Sequence, residues 1–377
     1  MMKNILKKIM ITIFAIIGVL ILVYILFVNF TPSLGGDVSE EQQKIYQASH
    51  QYKDGKFNNT NPVPKKLSFS ENIKLMYTFF TTKVPKDRPM EDLKVKKLSA
   101  DEVAHYKGAA RLVWFGHSAF LLQMDGQNIL IDPMFGKVAA PHPLLGGNRF
   151  NTEFPLTIEE LPEIDAIIFS HDHYDHLDYE SVMKLKDKTN QFFVPLGVGT
   201  HLTAWGIAKD KITEMDWWQE TTFKDITLVC TPAQHFSGRK LNNGQSTLWS
   251  SWVIQSKDEN LFFSGDSGYA THFTEIGNKY GPFDLALMEC GQYNKMWSDI
   301  HMMPEETAQA GIDVQAKRIM PIHWGGFKLA LHSWTDPVER LQSKAEGLNL
   351  QVITPEIGEP FFVKDSITNY KHWWEKL

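Results

Sequence analysis

The chain predicts an α/β fold in which helices cover stacked sheets, with a transmembrane helix ahead of it. Three observations carry this reading. Residues 9–28 form an apolar run of 20 in which Thr12 is the one clearly polar member. From Ala109 onward, short β-branched and apolar runs recur and amphipathic stretches interrupt them, the order expected when helices pack on sheets. Several of those runs end in a histidine or an aspartate, and strand-to-loop junctions are where site residues collect.

At about 1.5 Å per residue, the first run makes about 30 Å of helix, the thickness of a bilayer core. Lys3, Lys7 and Lys8 precede it, which predicts a cytoplasmic N-terminus and a chain beyond Thr31 on the far side of the membrane. A cleaved secretory signal is the rival. It fits less well, because the run exceeds an apolar core of about 7–15 residues and Val28-Asn29-Phe30-Thr31 lacks a small-x-small exit. Residues 1–30 are therefore expected to be a short stub and a membrane span.

Residues 31–108 are rich in turn formers, including Pro32, Gly35-Gly36, Asp54-Gly55, Asn58-Asn59, Pro62, Pro64, Pro85 and Pro89. Short helices are expected at 40–52 and 70–81. Apolar periodicity is too sparse for an independent core, so this segment reads as an arm packed on a catalytic domain spanning 109–377. Its patch of Leu75, Met76, Tyr77, Phe79 and Phe80 is expected to cover the core, with lipid contact as the alternative.

Within 109–377, strands are expected at 111–115, 119–124 and 128–131, with Asp125-Gly126 as the hairpin turn between the last two. Further strands are expected at 165–169, 191–195, 226–230, 250–255, 261–264, 285–289 and 318–321. Helices are expected at 179–186, 199–205, 304–316 and 337–346. No internal repeat is present.

Composition is that of an ordinary globular protein, 43% hydrophobic and 22% charged over 377 residues. A net charge of -6 argues against a nucleic-acid binder that works by neutralising phosphates. The 11 Trp and 24 Phe point to large apolar surfaces, some of them expected to meet lipid. Cys230 and Cys290 lie in strand-like runs and are expected to be buried free thiols, with pairing as the alternative. Neither belongs to a C-x-x-C, so a cysteine metal site is not supported.

Residues 170–178 read S-H-D-H-Y-D-H-L-D, directly after an apolar run. Four potential metal ligands, His171, His173, Asp175 and His176, thus fall within six residues. Imidazole nitrogens and carboxylate oxygens are the usual ligands of Zn²⁺, and such clustering suits two adjacent metals. A polar loop without metal is the alternative, but such loops rarely concentrate three histidines. His235 follows the strand-like run 226–230, Asp266 follows Phe263-Ser264-Gly265, and His323 follows Met320-Pro321-Ile322. Singly, each is explained as well by a capped turn or a hydrogen-bonded core imidazole. Beside the first cluster they read as further ligands.

The order His-x-His-x-Asp-His, His235, Asp266, His323 resembles that of the metallo-β-lactamase-fold hydrolases, over about residues 109–363. Trp114-Phe115-Gly116-His117-Ser118, Ile131-Asp132-Pro133, Asp216-Trp217-Trp218, Pro232-Ala233-Gln234-His235, Leu248-Trp249, Gly265-Asp266-Ser267-Gly268-Tyr269 and Ile322-His323-Trp324-Gly325 narrow the likeness. They are similar to the N-acylphosphatidylethanolamine-hydrolysing phospholipase D branch and its bacterial relatives, as are Leu34-Gly35-Gly36 and Tyr52-Lys53-Asp54-Gly55-Lys56-Phe57 of the arm.

The resemblance implies a four-layer αββα sandwich holding two Zn²⁺ ions. His171, His173 and His235 would hold one, Asp175, His176 and His323 the other, and Asp266 would bridge them. Other divalent metals are compatible, because geometry rather than affinity selects the ion. Asp132 is expected to accept a ligand histidine N–H, with a turn role as the alternative. His117 is expected to support the site in the same way or merely to pack. The mammalian member of the family lacks a span like 9–28, and residues 292–303 align only loosely.

The implied activity is phospholipase D-type hydrolysis of a membrane phospholipid by a metal-bound hydroxide. Asp266 would orient that hydroxide and Asp175 would assist proton movement. His301 is the candidate general acid, with an ordinary loop histidine as the alternative. Phe79, Phe80, Trp297, Met302 and Met303 would reach acyl chains or else form core. Three other readings are a hydrolase of lactones or β-lactams, a membrane-tethered non-catalytic binding protein and a redox di-iron variant.

Overall fold

The computed structural model describes residues 2–62, 68–365 and 370–377; the Pro64 breaker and the Phe80 side chain lie outside the described parts. It opens with α1 (Met2–Phe30), α2 (Glu40–Tyr46), β1 (Tyr52–Lys53), β2 (Lys56–Phe57), α3 (Phe69–Thr81) and α4 (Ala100–Ala104). There follow β3 (Arg111–Trp114), β4 (Phe120–Met124), β5 (Gln127–Ile131), β6 (Ile164–Ile168), α5 (Tyr179–Leu185), β7 (Thr189–Pro195), α6 (Gly199–Ala204) and β8 (Ile212–Met215). Next come β9 (Glu220–Phe223), β10 (Ile226–Thr231), β11 (Ser251–Gln255), β12 (Asn260–Phe263), α7 (His272–Tyr280) and β13 (Leu285–Glu289). The chain closes with α8 (Pro304–Asp313), β14 (Arg318–Ile322), α9 (Asp336–Leu348), β15 (Gln351–Val352) and β16 (Pro360–Phe362).

Helix α1 has no buried residue and a mean hydropathy of 3.1 over 18 residues, so it is long and apolar enough to cross a membrane. Capping boxes start α2 and α3: Ser39 pairs with Gln42 and Ser68 with Glu71, satisfying amide groups that a helix N-terminus leaves unbonded. Helix α2 stops at Tyr46, earlier than expected. The chain beyond it forms a hairpin on Asp54 and Gly55, both at positive φ (54° and 76°), as a type I′ turn requires. The expectation that the α3 patch covers the core holds only in part. Leu75 and Phe79 are half-buried, but Met76 and Tyr77 are exposed, as is Ile73, because the helix turns one apolar edge inward and leaves these three outside.

The remaining strands build two seven-stranded sheets, in the orders β15-β14-β13-β12-β11-β10-β9 and β16-β3-β4-β5-β6-β7-β8. Strands β5 to β8 run parallel in one sheet and β12 to β15 in the other. Side chains alternate across each sheet, and both faces are apolar because both are covered. Leu122, Ile131 and Ile168 of one sheet meet Leu228, Trp252 and Leu287 of the other in a shared core. On the outer faces, Leu121 and Ile167 pack with Val182 of α5 and Leu202 of α6, while Val253 and Ala286 pack with Ile276 of α7, Ala308 of α8 and Leu341 of α9. The layers are therefore helix, sheet, sheet, helix.

Most of the tryptophan is spent on this core, while Trp218 and Trp297 stay half-buried. Trp114, Trp249, Trp252, Trp324 and Trp374 are fully buried, and Trp114, Trp324, Trp334, Trp373 and Trp374 pack together. Met302 is buried too and does not reach outward. Cys230 and Cys290 are buried free thiols, and burial pushes both up in pKa.

Candidate metal centre

The two sheets expose the C-terminal ends of β5, β6, β10, β12, β13 and β14 at one edge of the sandwich, and each end delivers a polar residue. Asp132 follows β5, the loop from His171 to His176 follows β6, and His235 follows β10. Asp266 follows β12, Glu289 ends β13, and His323 follows β14 directly. His117 joins them from the β3–β4 turn, where its carbonyl accepts His323 N at 3.2 Å and Trp114 Nε1 at 2.9 Å. Two glycines allow the close fit. Gly265 sits at φ 56° with the Ser250 carbonyl 2.6 Å from where a Cβ would be, and a Cβ on Gly291 would lie 1.9 Å from the His323 carbonyl. His117, Asp132 and His323 themselves hold positive φ values of 57°, 39° and 64°. A left-handed residue other than glycine costs about 1–3 kcal/mol, so backbone strain is concentrated around the cluster.

Three nitrogens face one point. His171 Nε2 lies 2.9 Å from His173 Nδ1, which lies 3.2 Å from His235 Nε2. Tetrahedral zinc with bonds of about 2.0–2.1 Å would set such nitrogens about 3.3 Å apart. Asp175, His176 and His323 gather beside them. Asp175 Oδ2 lies 3.4 Å from His176 Nε2 and 3.8 Å from His323 Nδ1. Asp266 stands between the two groups, its Oδ2 at 3.1 Å from His176 Nε2, 3.8 Å from His171 Nε2 and 3.9 Å from His235 Nε2, and its Oδ1 at 3.1 Å from His323 Nδ1. All seven side chains singled out in the sequence are thus brought together.

The rings are oriented from behind. Asp132 Oδ2 accepts His176 Nδ1–H at 2.7 Å and the Ser170 hydroxyl at 2.5 Å, and that hydroxyl accepts His171 Nδ1–H at 2.9 Å. His235 Nδ1–H donates to the Ile300 carbonyl at 3.0 Å. With Nδ1 engaged, each of these rings turns its Nε2 to the centre, the usual arrangement behind metal-binding imidazoles. His117 Nε2 lies 3.0 Å from Asp175 Oδ2, and its ring packs 4.3 Å from His323. Asp266 Oδ1 is buried and, although His323 Nδ1 is near, makes no hydrogen bond among the described residues, a placement that a cation would satisfy.

The model of the family described as "Beta-lactamase superfamily domain" matches residues 127–324. The chain belongs to this superfamily. Its fold is the metallo-β-lactamase fold, as two solved structures show. One is Igni18, a metallo hydrolase of Ignicoccus hospitalis, with a TM-score of 0.51 and 23% identity over 67% of this chain and 97% of that one. The other is an isothiocyanate hydrolase from Delia radicum gut bacteria, with a TM-score of 0.53 and 19% identity over 67% of this chain and 98% of that one. A protein of Mycobacterium tuberculosis is 39% identical over 87% of this chain and 88% of its own length. An N-acyl-phosphatidylethanolamine-hydrolyzing phospholipase D of Caenorhabditis elegans is 31% identical over 75% of this chain and 84% of its own.

In this metallo-β-lactamase fold, burial keeps most of the imidazoles neutral, the form that binds a metal. It holds His171, His235 and His323 well below the ordinary histidine pKa and lowers His173 to about 4. Burial opposes charge on His176 as well, but Asp266, Asp175 and Asp132 outweigh it and raise that ring well above the ordinary value. Burial likewise opposes charge on Asp175, yet His176 and His117 hold it well below the carboxylate range. Asp266 is pushed up to about 7 by burial. The carboxylates gathered here thus hold a proton on His176, and a divalent cation bound at its Nε2 would take that proton's place.

A cavity of about 370 Å³ opens over Asp175, Asp266, His301 and His323, with apolar walls from Leu75, Phe236, Trp297, Ile300 and Leu329. His301 faces it, with ring centres 5.0 Å from His235 and 5.4 Å from His323. Its Nδ1 is bound by Glu289, a fully buried carboxylate that also accepts Ser267 N at 2.8 Å and whose pKa burial raises well above the usual range. Glu289 was missed in the sequence. Its signal was a lone acid closing the apolar run Leu285-Ala286-Leu287-Met288, the same signal that marked Asp132 and Asp266. Asp172 was passed over as well. It accepts Gly238 N at 2.8 Å, Thr247 Oγ1 at 3.0 Å and His201 Nε2 at 3.2 Å and so fixes the loop between two of the histidines.

Proposed function

We propose that the chain is a membrane-anchored binuclear zinc hydrolase, a phospholipase D-type phosphodiesterase acting on N-acylphosphatidylethanolamine-like phospholipids. In this reading residues 1–30 anchor it with the N-terminus in the cytoplasm, 31–108 form an arm, and 109–377 form the catalytic domain outside the cytoplasm. The observation that carries it is the cluster of seven side chains divided around Asp266, beneath a cavity with apolar walls. The likeness to the Caenorhabditis elegans phospholipase D supports the substrate class.

His171, His173 and His235 would hold one ion, Asp175, His176 and His323 the other, and Asp266 both. When bound, the pair supplies an acidified water and polarises a phosphoryl oxygen. The chain's own groups do the rest. Asp266 orients the attacking water in line with the phosphorus, and Asp175 helps carry its proton. His301, fixed at Nδ1 by Glu289, presents Nε2 to the departing headgroup oxygen. Leu75, Phe236, Trp297, Ile300 and Leu329 accept acyl chains and exclude bulk water.

The experiment is a product assay on a mixed lipid extract, with and without chelator. Phosphatidic acid released only without chelator is expected. An unchanged lipid profile with hydrolysis of a lactone or β-lactam would replace this reading with that of a small-molecule hydrolase.

A further inference from the structure

His235 lies four residues beyond β10, outside any strand, so no sheet ladder fixes its backbone. The arm does. His235 N donates to Asn59 Oδ1 at 3.1 Å and Asn59 Nδ2 donates to His235 O at 2.7 Å, so one side-chain amide takes both backbone groups of this residue. The same Oδ1 accepts Trp249 Nε1 at 2.9 Å, which settles which end of the amide is oxygen. One residue earlier, Gln234 Nε2 donates to Asn61 O at 2.8 Å.

Asn59 is itself held rigidly. Phe57 is fully buried against Tyr46 and Tyr52, and its N–H donates to Gln245 O at 2.9 Å. Asn58 Nδ2 closes the hairpin on Lys56 O at 2.9 Å. The side chain also has to be asparagine. Aspartate would put an oxygen against the His235 carbonyl, and alanine would leave both backbone groups unmet.

We propose that Asn59 is a positioning residue of the metal centre: it sets the backbone of His235 and thereby aims Nε2 at the point faced by His171 and His173. This rests on reading His235 as a ligand. Such sites tolerate displacements of only about 0.5 Å, and loss of a supporting group behind a ligand weakens metal binding about 10–100-fold. The arm would then be part of the active site and not only its tether.

The test uses the full chain in detergent, loaded with Co²⁺, with affinity measured against a competing chelator and the visible absorption spectrum recorded. Asn59→Ala and Asn59→Asp are expected to weaken one of two sites about 10–100-fold and to change its spectrum. Val103→Ala, which loosens the arm at α4, where it packs on the outer face of the other sheet and away from Asn59, is expected to lower the melting temperature and leave affinity and spectrum unchanged. Wild-type cobalt binding by Asn59→Ala overturns the proposal, as does an equal loss in Val103→Ala, which would make arm docking in general the cause. His235→Ala separates the underlying reading: if it keeps both cobalt sites, His235 is not a ligand at all.

Discussion

Asp132 offers the sharpest perturbation, because one carboxylate serves a histidine of each proposed metal. It accepts Ser170 N at 2.7 Å, the Ser170 hydroxyl at 2.5 Å and His176 Nδ1–H at 2.7 Å, all fully buried. Alanine would strand three donors at about 1–3 kcal/mol each, a loss comparable to a domain's whole stability of about 5–15 kcal/mol. Asparagine keeps the shape and is the informative change. Its oxygen can stay on Ser170 N, since the other orientation sets N–H against N–H. Its amino group then faces His176 Nδ1, which must become the acceptor, so the ring proton moves to Nε2. That atom points at Asp266 from 3.1 Å and is the one needed for a metal. The Ser170 hydroxyl loses its acceptor as well, which loosens His171. A loss of about 10–100-fold in metal affinity is expected, or about 1.4–2.8 kcal/mol. The assay is a buffered Zn²⁺ titration of the full chain beside its thermal melt. An Asp132→Asn protein that melts normally and binds two ions at wild-type affinity would refute the tautomer argument.

Three further outcomes are expected. Glu289→Gln should slow turnover of an alkyl-headgroup phosphodiester about 10–100-fold with KM little changed, and should affect a nitrophenyl ester far less, because that leaving group needs no proton; equal losses on both would remove the proton-donor role of His301. His272 is buried, and burial lowers its pKa from 6.5 to about 3, so the unfolded chain takes up a proton near pH 6.5 that the folded one refuses. Stability therefore falls as pH drops below that value, by about 2 kcal/mol at pH 5 from this group, and His272→Asn should show a smaller fall in Tm between pH 7 and 5; an identical fall would discount it. Protease added to intact cells should cut the chain beyond α1, and cleavage only after lysis would reverse the proposed orientation.

The chemistry legible in the sequence was the chemistry carried by neighbours along the chain. His171 to His176 sit within one turn-length, and Asp266 and His323 each end an apolar run, so their placement followed from strand patterning alone. Long apolar runs likewise gave β4, β6, β10 and β13 near their observed bounds. What escaped depends on contacts between distant segments. Asn59 meets His235 across 176 positions, and Asn58-Asn59 read only as a turn. Asp54-Gly55 read as a breaker, although with Tyr52 and Phe57 beside it the pair is a hairpin turn. The edge strands β8 and β9 and the mostly polar helix α7 lack the apolar contrast that marks buried elements. The left-handed backbone at His117, Asp132 and His323 is imposed by packing and has no signature in residue type.

Anomalous X-ray scattering at the zinc edge, from crystals of metal-loaded protein, addresses the paired-cation reading without reference to any substrate. Two peaks are expected about 3.5–4 Å apart, one bounded by His171, His173 and His235, the other by Asp175, His176 and His323, with Asp266 between them. A single peak, or metal bound away from Asp266 in a fully active protein, would contradict it.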